Sequence, residues 1–325
     1  MKKSTATIFL FAASVIWGIS FMVMKSLLDY LPANHLLAYR FTVGAVGLSF
    51  VLFTYKKEFT PKAWLRGLAV GACMYVAFIL QTYGLLFIGS GKNALITAVY
   101  VVLVPFIMWI IKKKRPTVRS VIAGAVCFGG IALLSLGSVK TSNASPAANE
   151  LTQQLLGVTL TAGQCEAVGT VLTLMSGVMY AVHIAIVNVF SEKTHVMPLT
   201  FMQYLFVAMF AWIAALMFEK APNLGECFSE IWLSLLYVSV LSTLVAFTFQ
   251  NIGVGNAPPA FASIILCMES LFGCILSIIF TSEQLTWNIA VGAVIIIGSI
   301  VVSELRIKEK NIQKSGLQNS DDVLE

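Results

Sequence analysis

Ten long apolar segments constrain what this chain can fold into. Each is close to the roughly 20 residues that a helix needs to cross the hydrocarbon core of a bilayer. Backbone in lipid must satisfy its own hydrogen bonds, so we predict helices; barrel strands would show short alternating patterns instead. The sequence therefore predicts an all-α membrane protein with ten transmembrane helices, at residues 6–26, 35–55, 65–88, 93–111, 118–136, 167–190, 198–218, 231–252, 259–280 and 286–303.

The composition excludes several classes of soluble protein. Only 11% of the 325 residues are charged and 58% are hydrophobic, whereas soluble proteins carry about 25% charged residues. A water-soluble enzyme, a coiled coil, a disordered scaffold and a nucleic-acid binder are therefore excluded. The first apolar segment follows Lys2 and Lys3. Its length and its lack of a clear cleavage site predict a retained helix rather than a signal peptide.

The basic residues predict how the chain crosses the membrane. Most of the 21 Lys and Arg fall in segments that lie on one side if both termini are cytoplasmic, including 56–66, 112–119 and 306–314. The predicted outer loops hold only Lys92, Lys140 and Lys220. Cytoplasmic loops carry the excess of basic residues in membrane proteins. The predicted orientation is N-in and C-in.

The two halves of the sequence repeat one another. Residues 81–84, Gln-Thr-Tyr-Gly, recur as residues 250–253, Gln-Asn-Ile-Gly. Each half holds five predicted helices, and an odd number turns the second half upside down, which is a common plan of secondary transporters. We predict two inverted five-helix repeats. The predicted boundaries are 1–138 for the first repeat, 139–165 for an extracytoplasmic loop, 166–305 for the second repeat and 306–325 for a cytoplasmic tail.

Several short motifs resemble one family. They are Trp17-Gly-Ile-Ser-Phe21, Tyr39-Arg-Phe41, Leu80-Gln-Thr-Tyr-Gly84, Ala98-Val-Tyr-Val-Val-Leu-Val-Pro105, Tyr180-Ala-Val-His183, Met268-Glu-Ser-Leu-Phe272 and Ser282-Glu-Gln-Leu-Thr286. They are similar to the EamA family of the drug/metabolite transporter superfamily, apart from Ser270, where the family has Pro. The resemblance implies a ten-helix bacterial transporter in the plasma membrane, with a central cavity surrounded by helices 3, 4, 8 and 9 and parts of 1, 2, 6 and 7. It also implies that the cargo is an amino acid or another small metabolite, often exported.

Polar side chains inside the predicted spans are the candidates for that cavity, because burying them in lipid is costly. The alternative for each is a simple hydrogen bond to a neighbouring helix. The candidate substrate-binding or cavity residues are Trp17, Ser20, Arg40, Gln81, Thr82, Asn93, Thr97, Tyr100, Tyr180, His183, Gln250 and Glu269.

Three of these candidates carry charge or can take it up. Glu269 is the only carboxylate at the centre of a predicted span, so we predict that it carries a proton, holds a substrate ammonium or bonds a neighbouring helix. His183 can bind a substrate carboxylate or relay a proton, or it makes an interhelix bond. Arg40 is expected to pair with Asp29 or to meet an anionic group at the outer mouth.

The function that follows is a secondary transporter rather than an enzyme. The sequence has no metalloprotease motif, no phosphate-binding loop and no second His or Cys at metal-ligand spacing. We therefore expect no metal and no cofactor. The expected partners are a small-molecule substrate and the bilayer, with protons as a further candidate, no nucleic acid, and a monomer or homodimer. A nucleobase, vitamin or cationic drug-like cargo stays open, and a membrane enzyme or receptor is the alternative from another class.

Overall fold

The computed structural model describes residues 3–113, 115–116, 118–136, 148, 152–153, 159–256, 259–280 and 286–305. Within these ranges the chain is helical and contains no strand, as the sequence predicts. The predicted tail at 306–325 and most of the predicted loop at 139–165 lie outside the described residues. The helices are α1 (Lys3–Leu27), α2 (Ala33–Gly47), α3 (Val51–Thr54), α4 (Pro61–Phe87), α5 (Ser90–Thr97), α6 (Val99–Lys112), α7 (Val118–Leu136), α8 (Ala162–Ser191), α9 (Val196–Phe218), α10 (Leu224–Leu236), α11 (Ala246–Asn256), α12 (Pro259–Phe280) and α13 (Trp287–Leu305), with a 3-10 turn at Lys56–Glu58 and a π-helical segment at Tyr237–Val245.

Six helical segments in the described ranges are long and apolar enough to cross a membrane, and three shorter apolar helices accompany them. The six are Thr7–Leu27, Pro61–Phe87, Ser90–Lys112, Ala162–Ser191, Val196–Phe218 and Phe228–Gln250; the three are Val121–Leu133, Met268–Phe280 and Trp287–Ser299. The chain is therefore a multi-pass membrane protein. The count of ten spans and the orientation remain predictions.

Local sequence signals explain where two of the long helices begin. Pro61 occupies the first turn of α4, and the Thr60 hydroxyl accepts a hydrogen bond from the backbone N–H of Ala63, which satisfies one of the free amides at a helix start. Helix α8 begins with a capping box, in which Thr161 and Gln164 satisfy each other's backbone amides. Both helices therefore start at fixed residues.

Three predicted spans differ from continuous α-helix. The span at 35–55 is divided into α2 and α3, and the span at 93–111 is broken at Ala98, between α5 and α6. The span at 231–252 passes through the π-helical segment Tyr237–Val245. A π-helical turn leaves the regular i to i−4 bonding pattern and often occurs at functional sites. Two of these irregularities, the break at Ala98 and the π-helical segment, lie beside the central cavity described below.

One predicted loop residue lies in a helix instead. Lys92 was expected in an outer loop, but it occupies the first turn of α5, is buried, and forms an ion pair with Glu166 at the start of α8. A buried ammonium is tolerated because its charge is paired. The sequence also suggests a disulfide between Cys165 and Cys227, both predicted to lie in outer loops. Cys165 is instead buried in the first turn of α8, and the side chain of Cys227 lies outside the described part of the chain, so the disulfide stays a prediction.

The main helix contacts join the two halves. Helix α1 packs against α11 and α12, while α8 packs in the matching way against α4 and α6; α2 packs against α9, and α7 against α13. Glycine permits two of these close approaches. A Cβ on Gly18 would lie 2.5 Å from Phe272 Cβ, and one on Gly177 would lie 2.6 Å from Val99 Cγ1. Small residues of this kind let membrane helices pack closely.

Candidate functional site

A cavity of about 80 Å³ lies among α1, α2, α4, α5, α6, α8, α11, α12 and the π-helical segment. This volume has room for several water molecules. The structure brings ten of the twelve candidate residues to its wall, namely Trp17, Ser20, Arg40, Gln81, Thr97, Tyr100, Tyr180, His183, Gln250 and Glu269. The remaining lining residues are mostly apolar and aromatic, so the cavity combines a hydrophobic surface with polar groups at a few defined positions.

Arg40 projects from α2 and is 2% exposed. Its Nε donates to Thr243 Oγ1 at 2.8 Å and its Nη2 donates to Ser242 Oγ at 3.4 Å. The guanidinium carbon also lies 4.8 Å from the centre of the Phe78 ring, a cation–π contact. Its contacts do not include Asp29, which was one expected partner, so the positive charge of Arg40 is balanced by no carboxylate among the described residues.

Glu269 lies on α12 and is 6% exposed. Tyr100, on α6, donates a hydrogen bond from its hydroxyl to Glu269 Oε1 at 3.1 Å. No Lys, Arg or His of the described ranges pairs with this carboxylate. The Glu269 carboxyl group and the Arg40 guanidinium therefore face the same cavity, and neither is paired there with an oppositely charged side chain of the described residues.

A hydrogen-bonded row of neutral groups crosses the cavity between α8 and α4. The Tyr180 hydroxyl donates to Gln81 Oε1 at 3.0 Å, and Gln81 Nε2 donates to Thr97 Oγ1 at 3.2 Å. Thr97 then donates to the backbone carbonyl of Asn93 at 2.8 Å. The row fixes the orientation of the Gln81 amide beside the break in the helix at Ala98.

Two candidates do not line the cavity. Thr82 is fully buried and donates to the Phe78 carbonyl at 2.7 Å, one turn back in its own helix. Asn93 is also fully buried and donates to Thr173 Oγ1 at 2.8 Å. Asn93 therefore makes the hydrogen bond to a neighbouring helix that is the alternative for a polar residue in a membrane span, whereas Thr82 bonds its own helix.

His183 and Gln250 both line the cavity but differ in whether their side chains have a hydrogen-bond partner. His183 Nε2 lies 3.2 Å from Gln203 Oε1, so this imidazole has a neutral partner on α9. The buried carbonyl oxygen of Gln250 accepts no hydrogen bond from the residues that the structure describes. A buried acceptor without a partner is costly, so Gln250 offers a position for a donor group of a ligand.

Sequence reasoning missed Ser242, which holds this site together. Its hydroxyl lies 2.8 Å from Ser20 Oγ, and its backbone carbonyl accepts the indole N–H of Trp17 at 2.9 Å. Ser242 and Thr243 form the only hydroxyl pair within the π-helical segment. That adjacent pair in an apolar run was the available signal, but hydropathy alone does not reveal a π-helical turn.

No group of three or more His, Cys, Asp or Glu side chains suited to a metal is found in the described ranges.

Comparison with known proteins matches both halves of the chain to the same family. Residues 4–136 and 167–305 each match the EamA-like transporter family.

Relatives with this architecture span nearly the whole chain. An "Uncharacterized transporter" of Archaeoglobus fulgidus is 25% identical over 311 residues, covering 94% of this chain and 88% of the relative. "Uncharacterized transporter YoaV" of Bacillus subtilis is 22% identical and covers 93% of this chain and 97% of its own. A solved crystal structure shares the fold, with a TM-score of 0.63 at 14% identity and coverage of 94% and 98% of the two chains.

Proposed function

The chain belongs to the EamA-like transporter family, a family of multi-pass membrane transporters that in bacteria lie in the plasma membrane, and on that premise we propose that it carries a small zwitterion. The proposed cargo is an amino acid or a close analogue, the proposed direction is export, and the proposed mechanism is alternating access through the central cavity. The observation that carries the proposal is the presence of Arg40 and Glu269 in one cavity without charged partners among the described residues.

A zwitterion satisfies both charges at once. Arg40 has a planar fork suited to a carboxylate, and Glu269 together with the Gln250 carbonyl offers acceptors for an ammonium. The aromatic rings of Phe78 and Phe247 provide an apolar surface for a side chain. A cationic or neutral solute leaves the Arg40 charge unbalanced in a low-dielectric site, which is unfavourable. This charge argument favours the zwitterion over a nucleobase or a cationic drug-like cargo.

The discriminating experiment compares a zwitterion with derivatives that lack one charge. We expect amino acids to raise the apparent Tm of the purified protein, because a ligand that binds only the folded state stabilises it. The corresponding amides and N-acetyl derivatives should bind roughly tenfold to a hundredfold more weakly, since each loses a charge-assisted hydrogen bond.

Arg40→Gln is the matched variant for that comparison. It should weaken binding of the acid but bring it level with the amide, because the discriminating charge is gone. Arg40→Lys should restore part of the preference, since lysine keeps the charge without the fork. Stronger binding of nucleobases or organic cations than of any amino acid would contradict the proposal.

Glu269→Gln separates three roles for the carboxylate. If Glu269 carries a proton, we expect the variant to bind and exchange substrate across proteoliposomes but to lose accumulation driven by a pH gradient. If Glu269 holds the ammonium, the variant should lose binding. Unchanged transport and unchanged pH dependence would identify a structural role, and we propose the first two roles over it.

We also propose ten spans in two inverted repeats at 1–138 and 166–305, with both termini cytoplasmic. The matching of α1 with α8 and the exchange of their contacts between halves support the repeat. Lys220 should then react with an impermeant amine reagent applied outside intact cells, whereas Lys57 should not. The reverse labelling pattern would overturn the orientation.

A further inference from the structure

A second concave surface lies on the lipid-facing side of α4, away from the central cavity. It is a groove of about 410 Å³ between the first turns of α4 and the last turn of α8. Its floor is apolar and includes Leu65, Ala69, Ala72 and Phe190.

Two cations stand at one end of this groove. Lys62 is exposed, and Arg66 follows it by four residues, which places both on one face of α4. Arg66 Nη1 donates to the Lys193 carbonyl at 3.0 Å and to Thr194 Oγ1 at 2.8 Å. These bonds hold the guanidinium in place. No carboxylate of the described residues pairs with Lys62 or Arg66.

The remaining donors of Arg66 are therefore oriented and unused within the described chain. Its Nε and Nη2 groups make no hydrogen bond there, and a guanidinium can bind a phosphate through two parallel bonds. A held guanidinium next to a free ammonium, both without a counter-charge, is a site for an anionic oxygen group. Lys62 supplies the second charge at little cost because it is already solvent-exposed.

The position of the groove along the membrane normal indicates what kind of molecule it binds. Trp64 packs against Phe59 beside the charged end, and amphipathic aromatic residues mark the headgroup level of a bilayer. The charged end thus lies at headgroup height, while the apolar floor runs toward the hydrocarbon core along a membrane-spanning helix. We propose that the groove binds one anionic phospholipid, with its phosphate on Lys62 and Arg66 and an acyl chain on the floor.

The test is a lipid titration of the purified full-length chain in neutral detergent, followed by native mass spectrometry. Phosphatidylglycerol is compared with phosphatidylcholine of the same acyl chains, and with glycerol phosphate as a headgroup without chains. We expect phosphatidylglycerol to bind most tightly. Lys62→Gln should weaken it by roughly fivefold, which corresponds to one basic residue near an anionic surface.

Two further variants make the result specific. Lys57→Gln removes an exposed charge outside the groove and should leave binding unchanged. Ala69→Phe fills the floor without changing charge and should weaken binding of both lipids. Equal binding of the two lipids, equal losses in Lys57→Gln and Lys62→Gln, or wild-type binding by Ala69→Phe would each overturn the proposal, as would equally tight binding of glycerol phosphate.

Discussion

Replacement of Glu219 is expected to destabilise the contact between the two halves. This carboxylate follows α9 and meets the first turn of α2. Its Oε1 accepts the backbone N–H and the side-chain amide of Asn34, both at 2.8 Å. Its Oε2 accepts the backbone N–H of His35 at 3.0 Å and His35 Nδ1 at 2.9 Å. Because a carboxylate only accepts, Nδ1 carries the proton in this contact.

The size of the loss follows from those four bonds. Glu219→Ala leaves the amides at the start of α2 without an acceptor and removes a negative charge that favours a helix N-terminus. Each buried donor left without its acceptor costs about 1–3 kcal/mol, and because Glu219 is partly exposed we expect a total of about 3–5 kcal/mol. At roughly 2 °C per kcal/mol for a chain of this size, the apparent Tm should fall by about 6–10 °C. The apparent Tm of Glu219→Gln should lie between those of the wild type and of Glu219→Ala, because the Gln amide nitrogen faces donors and cannot accept their hydrogen bonds.

The assay is thermal unfolding of the purified protein in detergent, with Glu192→Gln as the matched control. The Lys112 ammonium, 3.0 Å away, lowers the pKa of Glu192. Any contribution of this pair to stability is present above the ordinary glutamate pKa and is lost as the pH falls through the lowered one. Glu192 is solvent-exposed, so screening should leave no measurable change in Tm. A Glu219→Ala melt no different from the Glu192→Gln melt would refute the reasoning.

Three other substitutions test the packing and the cavity. Gly177→Leu should cost about 1–3 kcal/mol or more by overpacking against Val99, and a melt identical to the wild type would contradict that close approach. Tyr100→Phe removes the hydrogen bond to Glu269 and should slow transport by about tenfold with little change in Tm; wild-type transport rates would remove this bond from the mechanism. Lys25→Met should lower Tm because its ammonium bonds backbone carbonyls at the end of α4, at 2.5 and 2.9 Å, and recovery in Lys25→Arg would confirm the polar role.

Hydropathy predicted the helices because it reports the one property that lipid selects. Hydropathy also identified most of the polar residues that line the cavity, because polar groups such as Gln81 and Glu269 remain in a membrane span only where a protein interior satisfies them. It could not predict the π-helical segment or the break at Ala98. Both depend on the hydrogen-bond register of the backbone, which the apolar pattern does not encode.

The sequence did not predict the polar partners of two charged residues, because these partners lie far along the chain. Asp29, a neighbour in sequence, was one of two expected partners of Arg40, but the guanidinium bonds Thr243 and Ser242 in the other half. The other expectation, an anionic group at the outer mouth, stays a prediction. Lys92 was expected in a loop. It pairs with Glu166 because α5 packs beside α8 in the structure, and the sequence does not indicate that packing. Charge pairs across a membrane bundle are set by helix packing, and sequence separation carries little information about them.

The polar bonds that shape the cavity also join the two halves of the molecule. Arg40 bonds Thr243 and Tyr100 bonds Glu269, so each pair has one member in each half. If the halves move relative to one another, as alternating access requires, such bonds must break or exchange partners. Each is a single hydrogen bond, worth about 1–3 kcal/mol, and a zwitterion that bonds Arg40 and Glu269 replaces both losses. The two residues that we propose to recognise the substrate can therefore also make the movement depend on its presence, because without it these buried polar groups are left poorly satisfied.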